Sequence, residues 1–176
     1  MSYDDYDLNT VLLALDLASF GEGTLTLPGL LDRKRLMDDG HGYRAGAEHA
    51  DMMRALGERV AGVLATPGEE EFVDALADLL EDQPCKPHLT RHDGFPHLHY
   101  AHDGAPFGEW VSALAVAGLA LYVCHNGRGR LRRCAARGCG RWFADTSRNS
   151  SRRYCEHACA SRTTVAAFRE RQRAER

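Results

Sequence analysis

Residues 134–162 read CAARGCGRWFADTSRNSSRRYCEHACASR, and this stretch decides how the chain is divided. Its four cysteines form two close pairs, Cys134/Cys139 and Cys155/Cys159, with arginines filling the space between them. A tetrahedral Zn²⁺ takes four soft ligands, and two short turns joined by a loop can face each other across one ion. Residues 130–134 and 141–144 alternate in polarity and predict a hairpin. Cys134 and Cys139 would sit at its turn, where Gly138 and Gly140 let the backbone bend round a metal. Trp142 and Phe143 point to opposite sides of the second strand, one into the module and one towards the rest of the protein. Cys155 and Cys159 are four apart, so they share one face at the start of a helix running to about Arg173. A hairpin plus a helix start is a treble-clef-like arrangement. A redox thiol set and unrelated core cysteines are the competing readings. The module is too small for a core of its own, which favours a metal staple. His157 lies between the second pair and would point away from their shared face.

Charge divides the chain at the same place. The whole sequence carries −3, but residues 1–125 carry −13 and residues 126–176 carry +10. All 14 cations of the second part are arginine. Such an asymmetry implies a polyanionic partner for one part, and an acidic part able to shield the basic one. The N-terminus, MSYDDYDLNT, is acidic rather than basic, which argues against a secretory leader. The longest apolar run, residues 110–124, is short for a membrane span. A soluble cytoplasmic protein is expected, and there clustered cysteines are metal ligands or redox groups more often than disulfides.

Residues 1–126 predict a helical domain. Residues 7–19 place Leu8, Val11, Leu12, Leu15 and Ala18 on one face, with Asp7 as cap and Asn9 and Thr10 on the surface. Residues 21–29 predict a loop with an extended piece at 24–27, and residues 30–37 a short helix. Residues 45–65 form the longest amphipathic helix. Thr66 and Glu69 have the spacing of a capping box with Pro67 at the first helical position, starting a helix with a Phe72, Ala75, Leu76, Leu79, Leu80 stripe. Residues 106–126 are apolar almost all round and predict the central buried helix, capped by Asn126-Gly127 and holding Cys124 in the core. Cys85 is a loop thiol. The three residues 127–129 are too short for a free linker, so the basic module should dock on the helical body.

Residues 86–102, KPHLTRHDGFPHLHYAH, hold five of the nine histidines: His88, His92, His97, His99 and His102. Asp93-Gly94 is a turn signal between two short alternating runs, which predicts a hairpin. His97 and His99 share one face of it. The sharp reading is a small-molecule or metal site signalling through the hairpin, and the bland one is a polar strand face.

Several motif pieces keep order and spacing: Cys139-Gly140, Trp142-Phe143, residues 145–149 (DTSRN), residues 151–155 (SRRYC) and Cys159-Ala160-Ser161-Arg162. Over residues 131–164 the chain resembles the CGNR zinc-finger family. Its members carry an N-terminal ABATE domain and are regarded as stress-induced transcription regulators, largely bacterial. The resemblance is weaker over residues 8–125, where it rests on Leu8-Asn9-Thr10 and the helical layout. The naming tetrad departs from the family: Ala160 and Ser161 replace Gly and Asn, while Cys159 and Arg162 are kept.

The expected protein is mainly α, with an ABATE-like helical domain (1–126) containing a small β-hairpin, and a CGNR-like zinc module (127–176) ending in an arginine-rich helix. One structural Zn²⁺ per chain is expected on Cys134, Cys139, Cys155 and Cys159. Double-stranded DNA is the expected partner, contacted by Arg148, Arg152, Arg153, Arg162, Arg169 and Arg173, with Ser147 and Asn149 as neutral donors. Arg176 extends the line of Arg162, Arg169 and Arg173. Pairing of some arginines with the acidic body is the alternative use of that charge. No membrane partner and no enzymatic activity are expected, since four cysteines leave no open coordination position. DNA regulators are often homodimers. The second functional reading is a zinc-stabilised adaptor for proteins.

Overall fold

The computed structural model describes residues 3–33, 37–38, 43–91, 94 and 96–174. His92, Asp93 and Arg176 lie outside the described residues. The elements are α1 (Tyr3–Gly21), α2 (Leu27–Leu31), β1 (Met37–Asp38), β2 (Tyr43–Arg44), α3 (Ala50–Ala65), α4 (Glu69–Glu81), β3 (His88–Thr90), β4 (His97–His99), α5 (Phe107–Asn126), β5 (Leu131–Arg133), β6 (Trp142–Ala144) and α6 (His157–Ala174). Short 3₁₀ turns precede α3 and β5. The strands make three separate antiparallel pairs, β1 with β2, β3 with β4 and β5 with β6. The chain is therefore mainly helical, with the expected hairpin in the body and the expected hairpin-plus-helix at the C-terminus.

The central helix is α1, not α5. All eight residues from Leu13 to Phe20 are buried, including Asp16 and Ser19. A one-sided stripe was expected there, but α3 and α5 cover two sides and β6 a third. Thr10, expected on the surface, is 3% exposed. It faces Gly118 of α5 so closely that a Cβ there would lie 2.3 Å from the threonine. Asp7 does not cap α1, which already starts at Tyr3.

Helix α5 has 20 residues and is long and apolar enough to cross a membrane, contrary to the reading of its sequence as too short. Its apolar composition serves the core: Val111, Ala115, Val116 and Leu119 are buried in the main cluster with α1. Cys124 falls in the last turn, beyond the core, and is exposed. Gly127 caps the helix as expected, with φ 76° and its N–H donating to Val123.

Three local expectations fail for identifiable reasons. The Thr66/Glu69 capping box does not form. The Thr66 hydroxyl instead donates to Gly62 O at 3.1 Å as α3 ends, and Gly68 occupies the N-cap of α4. Arg128 holds this connection as a turn by donating to the carbonyls of both Thr66 and Gly68, with its guanidinium 4.4 Å over the Phe72 ring. No extended piece forms at 24–27, because the Thr26 hydroxyl caps α2 by accepting from Gly29 N. The helix expected over 30–37 is replaced by α2, which ends at Leu31, and by β1.

Helices α1 and α3 approach until their backbones touch. A Cβ on Gly57 would lie 2.1 Å from the Leu17 carbonyl oxygen. Gly62, five residues along the same α3, meets nothing within 4 Å. Gly62→Ala should stabilise the protein by about 0.5–1 kcal/mol through helix propensity. Gly57→Ala should destabilise it by about 1–3 kcal/mol, because the clash is with backbone that cannot rotate away. Urea midpoints of the two variants check this, and the opposite signs are the signature.

Candidate metal centre and basic face

The cysteine module begins where α5 ends. Strand β5 pairs with β6 in the register Leu131↔Ala144, Arg132↔Phe143 and Arg133↔Trp142. Alternation then sorts the aromatics as expected. Phe143 is buried with Cys134 and Cys159, while Trp142 joins the main core with α1. Trp142 N donates to the buried Ser19 hydroxyl at 2.9 Å, and that hydroxyl donates in turn to Leu15 O. Trp142 Nε1 donates to Glu22 at 3.2 Å. Arg133 forks onto the same carboxylate at 2.5 and 2.7 Å and stacks 4.2 Å over the indole. The hairpin is thus fastened to α1 by a buried indole and by groups sequence reading missed: Ser19, Glu22 and Arg133.

Beyond the strands the chain turns tightly, with Gly138 and Gly140 at φ 72° and 68°. Cys134 N donates to Arg141 O at 2.8 Å and Cys139 N to Ala136 O at 3.0 Å, which folds the first pair into a knuckle. Helix α6 starts at His157 rather than Cys155, and Cys159 N donates back to Glu156 O. The four sulfurs converge: all lie within 4.8 Å of one another. Cys139, Cys155 and Cys159 Sγ are mutually 3.7 Å apart. A Zn²⁺ with four sulfurs at about 2.3 Å has S···S edges of about 3.8 Å, so the donor set has the size and chemistry of a tetrahedral thiolate site. His157 points away, as expected, with Nδ1 3.3 Å from the Ser161 hydroxyl. Ser161, at the departure from the CGNR tetrad, is engaged by this neighbour.

Electrostatics prepare the cluster unevenly. Burial works against the Cys139 thiolate, but hydrogen bonds from Arg141 backbone and guanidinium and from the Cys134 and Cys159 thiols outweigh it, bringing the thiol down to about 6. Burial raises Cys155 and Cys159, and each is further raised by neighbouring cysteines. Four close thiols cannot all ionise unaided, and a divalent cation supplies the charge that lets them do so. Cys155 N donates to Cys134 Sγ at 3.4 Å and the Arg162 guanidinium to Cys159 Sγ at 3.5 Å, both suited to sulfurs bearing negative charge.

Asp145 was missed as well, and it is fully buried. Oδ1 accepts from Ser147 N at 2.9 Å and from the Ser147 hydroxyl at 2.5 Å, and Oδ2 accepts from Arg152 N at 2.9 Å. Arg132 lies 3.7 Å from the same carboxylate. The D-x-S spacing was a readable turn signal. Burial pushes the carboxyl up, but the hydrogen bonds from Ser147 and Arg152, with the Arg132 charge, more than offset it and hold it below the ordinary carboxylate range.

The arginines fall into two groups. Arg128, Arg130, Arg133, Arg141 and Arg152 are spent inside the protein: Arg130 donates to Asp145 O and Ser147 O, and Arg141 pairs with Glu156. Arg152 Nε donates to Tyr154 O at 2.8 Å, another of its nitrogens to Cys155 O, and its guanidinium lies 5.4 Å over Phe143. Ser147 is likewise occupied, its hydroxyl donating to Asp145 and accepting from Ser151 N. Arg148, Asn149, Arg153, Arg162, Arg169 and Arg173 are exposed. Among the described residues, no hydrogen bond or ion pair holds the side chains of Arg148, Arg153, Arg169 or Arg173.

A hairpin and a helix start gripping four cysteines form a zinc-finger type of module. Residues 130–172 match the family model of the CGNR zinc finger, and this module belongs to that family. The match covers the module and not the helical body. No curated protein matches the chain.

Asp145→Asn puts an amide N–H₂ where two oxygens now accept, so a donor faces a donor at Ser147 or Arg152. Because the folded carboxyl is held below its unfolded value, its stabilisation is complete above about pH 4 and fades as pH falls through the folded value. The variant should therefore lose stability at pH 7 and lose less at pH 3. Urea midpoints at the two pH values check this; an equal loss at both would contradict it.

Proposed function

We propose that the protein is a zinc-dependent transcription regulator of the stress-response type that binds double-stranded DNA in the cytoplasm and is not an enzyme. One structural Zn²⁺ per chain, held by Cys134, Cys139, Cys155 and Cys159, cross-links the hairpin to α6. Residues 1–126 form an ABATE-like body that receives the signal or pairs two chains. The observation that carries this reading is the sorting of the arginines. Five are held by contacts within the protein, while Arg148, Arg153, Arg169 and Arg173 are left for an external anion.

At 3.6 residues per turn, Arg162, Arg169 and Arg173 line one side of α6. Such a row tracks a phosphate backbone, and Arg148, Arg153 and Asn149 stand on the loop before it. Arg152 and Ser147 act indirectly, by fixing that loop against Asp145 and the Cys155 turn. The acidic body opposes binding at long range, which favours release from weak sites.

The adaptor reading has one observation in its favour. Val165 and Phe168, three residues apart on α6, are 47% and 54% exposed. Apolar side chains there suit a protein surface or the methyl and sugar edges of a groove.

Binding of the zinc-loaded chain to duplex DNA should weaken linearly in log–log terms with salt. Arg169→Ala and Arg173→Ala should each lower affinity for all sequences and flatten the slope by about one unit. Arg148→Ala or Arg162→Ala should cost about 1–3 kcal/mol of discrimination if the guanidinium reads a guanine edge. Fluorescence anisotropy across a salt series measures all of these. No duplex binding at low salt with zinc present would discard the DNA reading and leave the adaptor.

A further inference from the structure

The histidine hairpin of the body holds a second cluster, far in sequence from the cysteines. The β3–β4 register places His88 opposite His99 and Thr90 opposite His97. The chain then turns through Asp103, whose Oδ1 lies 3.3 Å from His88 Nε2 and 3.9 Å from His99 Nδ1. One ligand atom from each of His88, His99 and Asp103 lies within 4.8 Å of the other two. The His88 and His99 rings meet edge to face, with centroids 5.5 Å apart.

The far nitrogens of both rings are also engaged, and this allows the near nitrogens to act as ligands. His88 Nδ1 is 3.3 Å from Lys86 O. The Lys86 carbonyl and the Asp103 carboxylate, 3.3 Å from Nε2, both only accept, so a neutral ring donates to one of them; in the tautomer that donates to Lys86 O, the Nε2 lone pair is the one available to a cation. His99 Nε2 is 3.1 Å from His97 Nε2. With His99 as donor in that pair, its Nδ1 lone pair faces the carboxylate too. Two imidazole lone pairs and a carboxylate directed at one point repel unless a cation lies among them. Protons can serve, giving imidazolium–carboxylate pairs. A metal serves all three at once. Metal-bound histidines characteristically donate their other N–H to a fixed acceptor, and Lys86 O and His97 Nε2 are placed to accept from His88 and His99.

We propose that His88, His99 and Asp103 form a second metal site, for a divalent transition-metal ion, with His97 as a positioning residue. Two imidazoles and one carboxylate suit Zn²⁺, Ni²⁺ or Co²⁺ and not the all-oxygen preferences of Mg²⁺ or Ca²⁺. The three groups leave positions open, unlike the closed cysteine cluster. The His99 side chain is 13% exposed and that of Asp103 74%, so the ion enters from the Asp103 side. Binding exchanges the protons of the metal-free cluster for the ion and joins both strands of the hairpin to the turn after β4.

The test is isothermal titration of the zinc-loaded full-length chain with further Zn²⁺, and with Mg²⁺ as control. Wild type should take up one more Zn²⁺ and no Mg²⁺. His88→Gln, His99→Gln and Asp103→Asn should each abolish that uptake or weaken it beyond tenfold. His97→Gln should weaken it by about 10–100-fold, since the ligands remain but one is no longer oriented. Leu89→Ser, on the exposed face of β3, should leave it unchanged. Line broadening of wild-type NMR signals by Co²⁺ added to the zinc-loaded chain gives a readout without mutation, and should centre on residues 86–103. Absence of a further Zn²⁺ in wild type at millimolar concentration overturns the site. So does uptake by the His88→Gln/His99→Gln double variant equal to wild type, or broadening centred elsewhere.

Discussion

The burial of Trp142 against α1 is the contact on which the rest of the module depends. The module is too small to build a core, and its hairpin solves this by lending one face to the core of the body. Leu131, Trp142 and Ala144 lie in the same buried cluster as Val11, Leu15 and Phe20. Truncating a buried tryptophan typically costs about 3–5 kcal/mol, whereas a partly exposed ion pair such as Glu22–Arg133 contributes about 1 kcal/mol or less. The indole therefore provides the attachment. Glu22, Arg133 and Ser19 set its angle, satisfying the indole N–H and the Trp142 amide.

This attachment divides the module into two parts with different dependence on metal. The hairpin carries Cys134 and Cys139 and is held by the body. Helix α6 has a single buried residue, Cys159, along its 18 residues. A solvated helix of that length is marginal by itself. Bonds from Cys155 and Cys159 to a shared ion would, with the Arg141–Glu156 pair beside them, hold α6 and its arginines in place. A metal there would order the exposed arginines of α6 from behind, as Asp145 orders residues 147–152 through its hydrogen bonds.

The sequence was most informative where spacing and chemistry coincide. The four cysteines, the β5–β6 hairpin and the opposite facing of Trp142 and Phe143 follow from short-range pattern alone. The division of labour among the arginines did not, because it depends on which carbonyls and carboxylates lie nearby in space. Arg128 finds Thr66 and Gly68 some sixty positions away. The role of α1 was hidden for a related reason. Its periodicity shows one apolar face, but small residues such as Ala14 and Ser19 let other elements pack closely on the remaining sides. Thr66 and Glu69 show how a correct local motif yields to a distant partner: the box is present in sequence, and Arg128 holds the turn that replaces it. At the histidine hairpin, alternation placed His97 and His99 together, while the closer grouping of His88, His99 and Asp103 needed the strand register and the following turn.

The central claim is that the ion cross-links a body-anchored hairpin to an otherwise unsupported helix. Hydrogen exchange of the full-length chain before and after chelation tests it most directly. Amides of β5 and β6 should keep most of their protection without metal, together with α1, while amides of α6 should lose theirs and regain it when Zn²⁺ is restored. Protection of α6 unchanged by chelation, or loss of the hairpin and α6 together, would contradict the account.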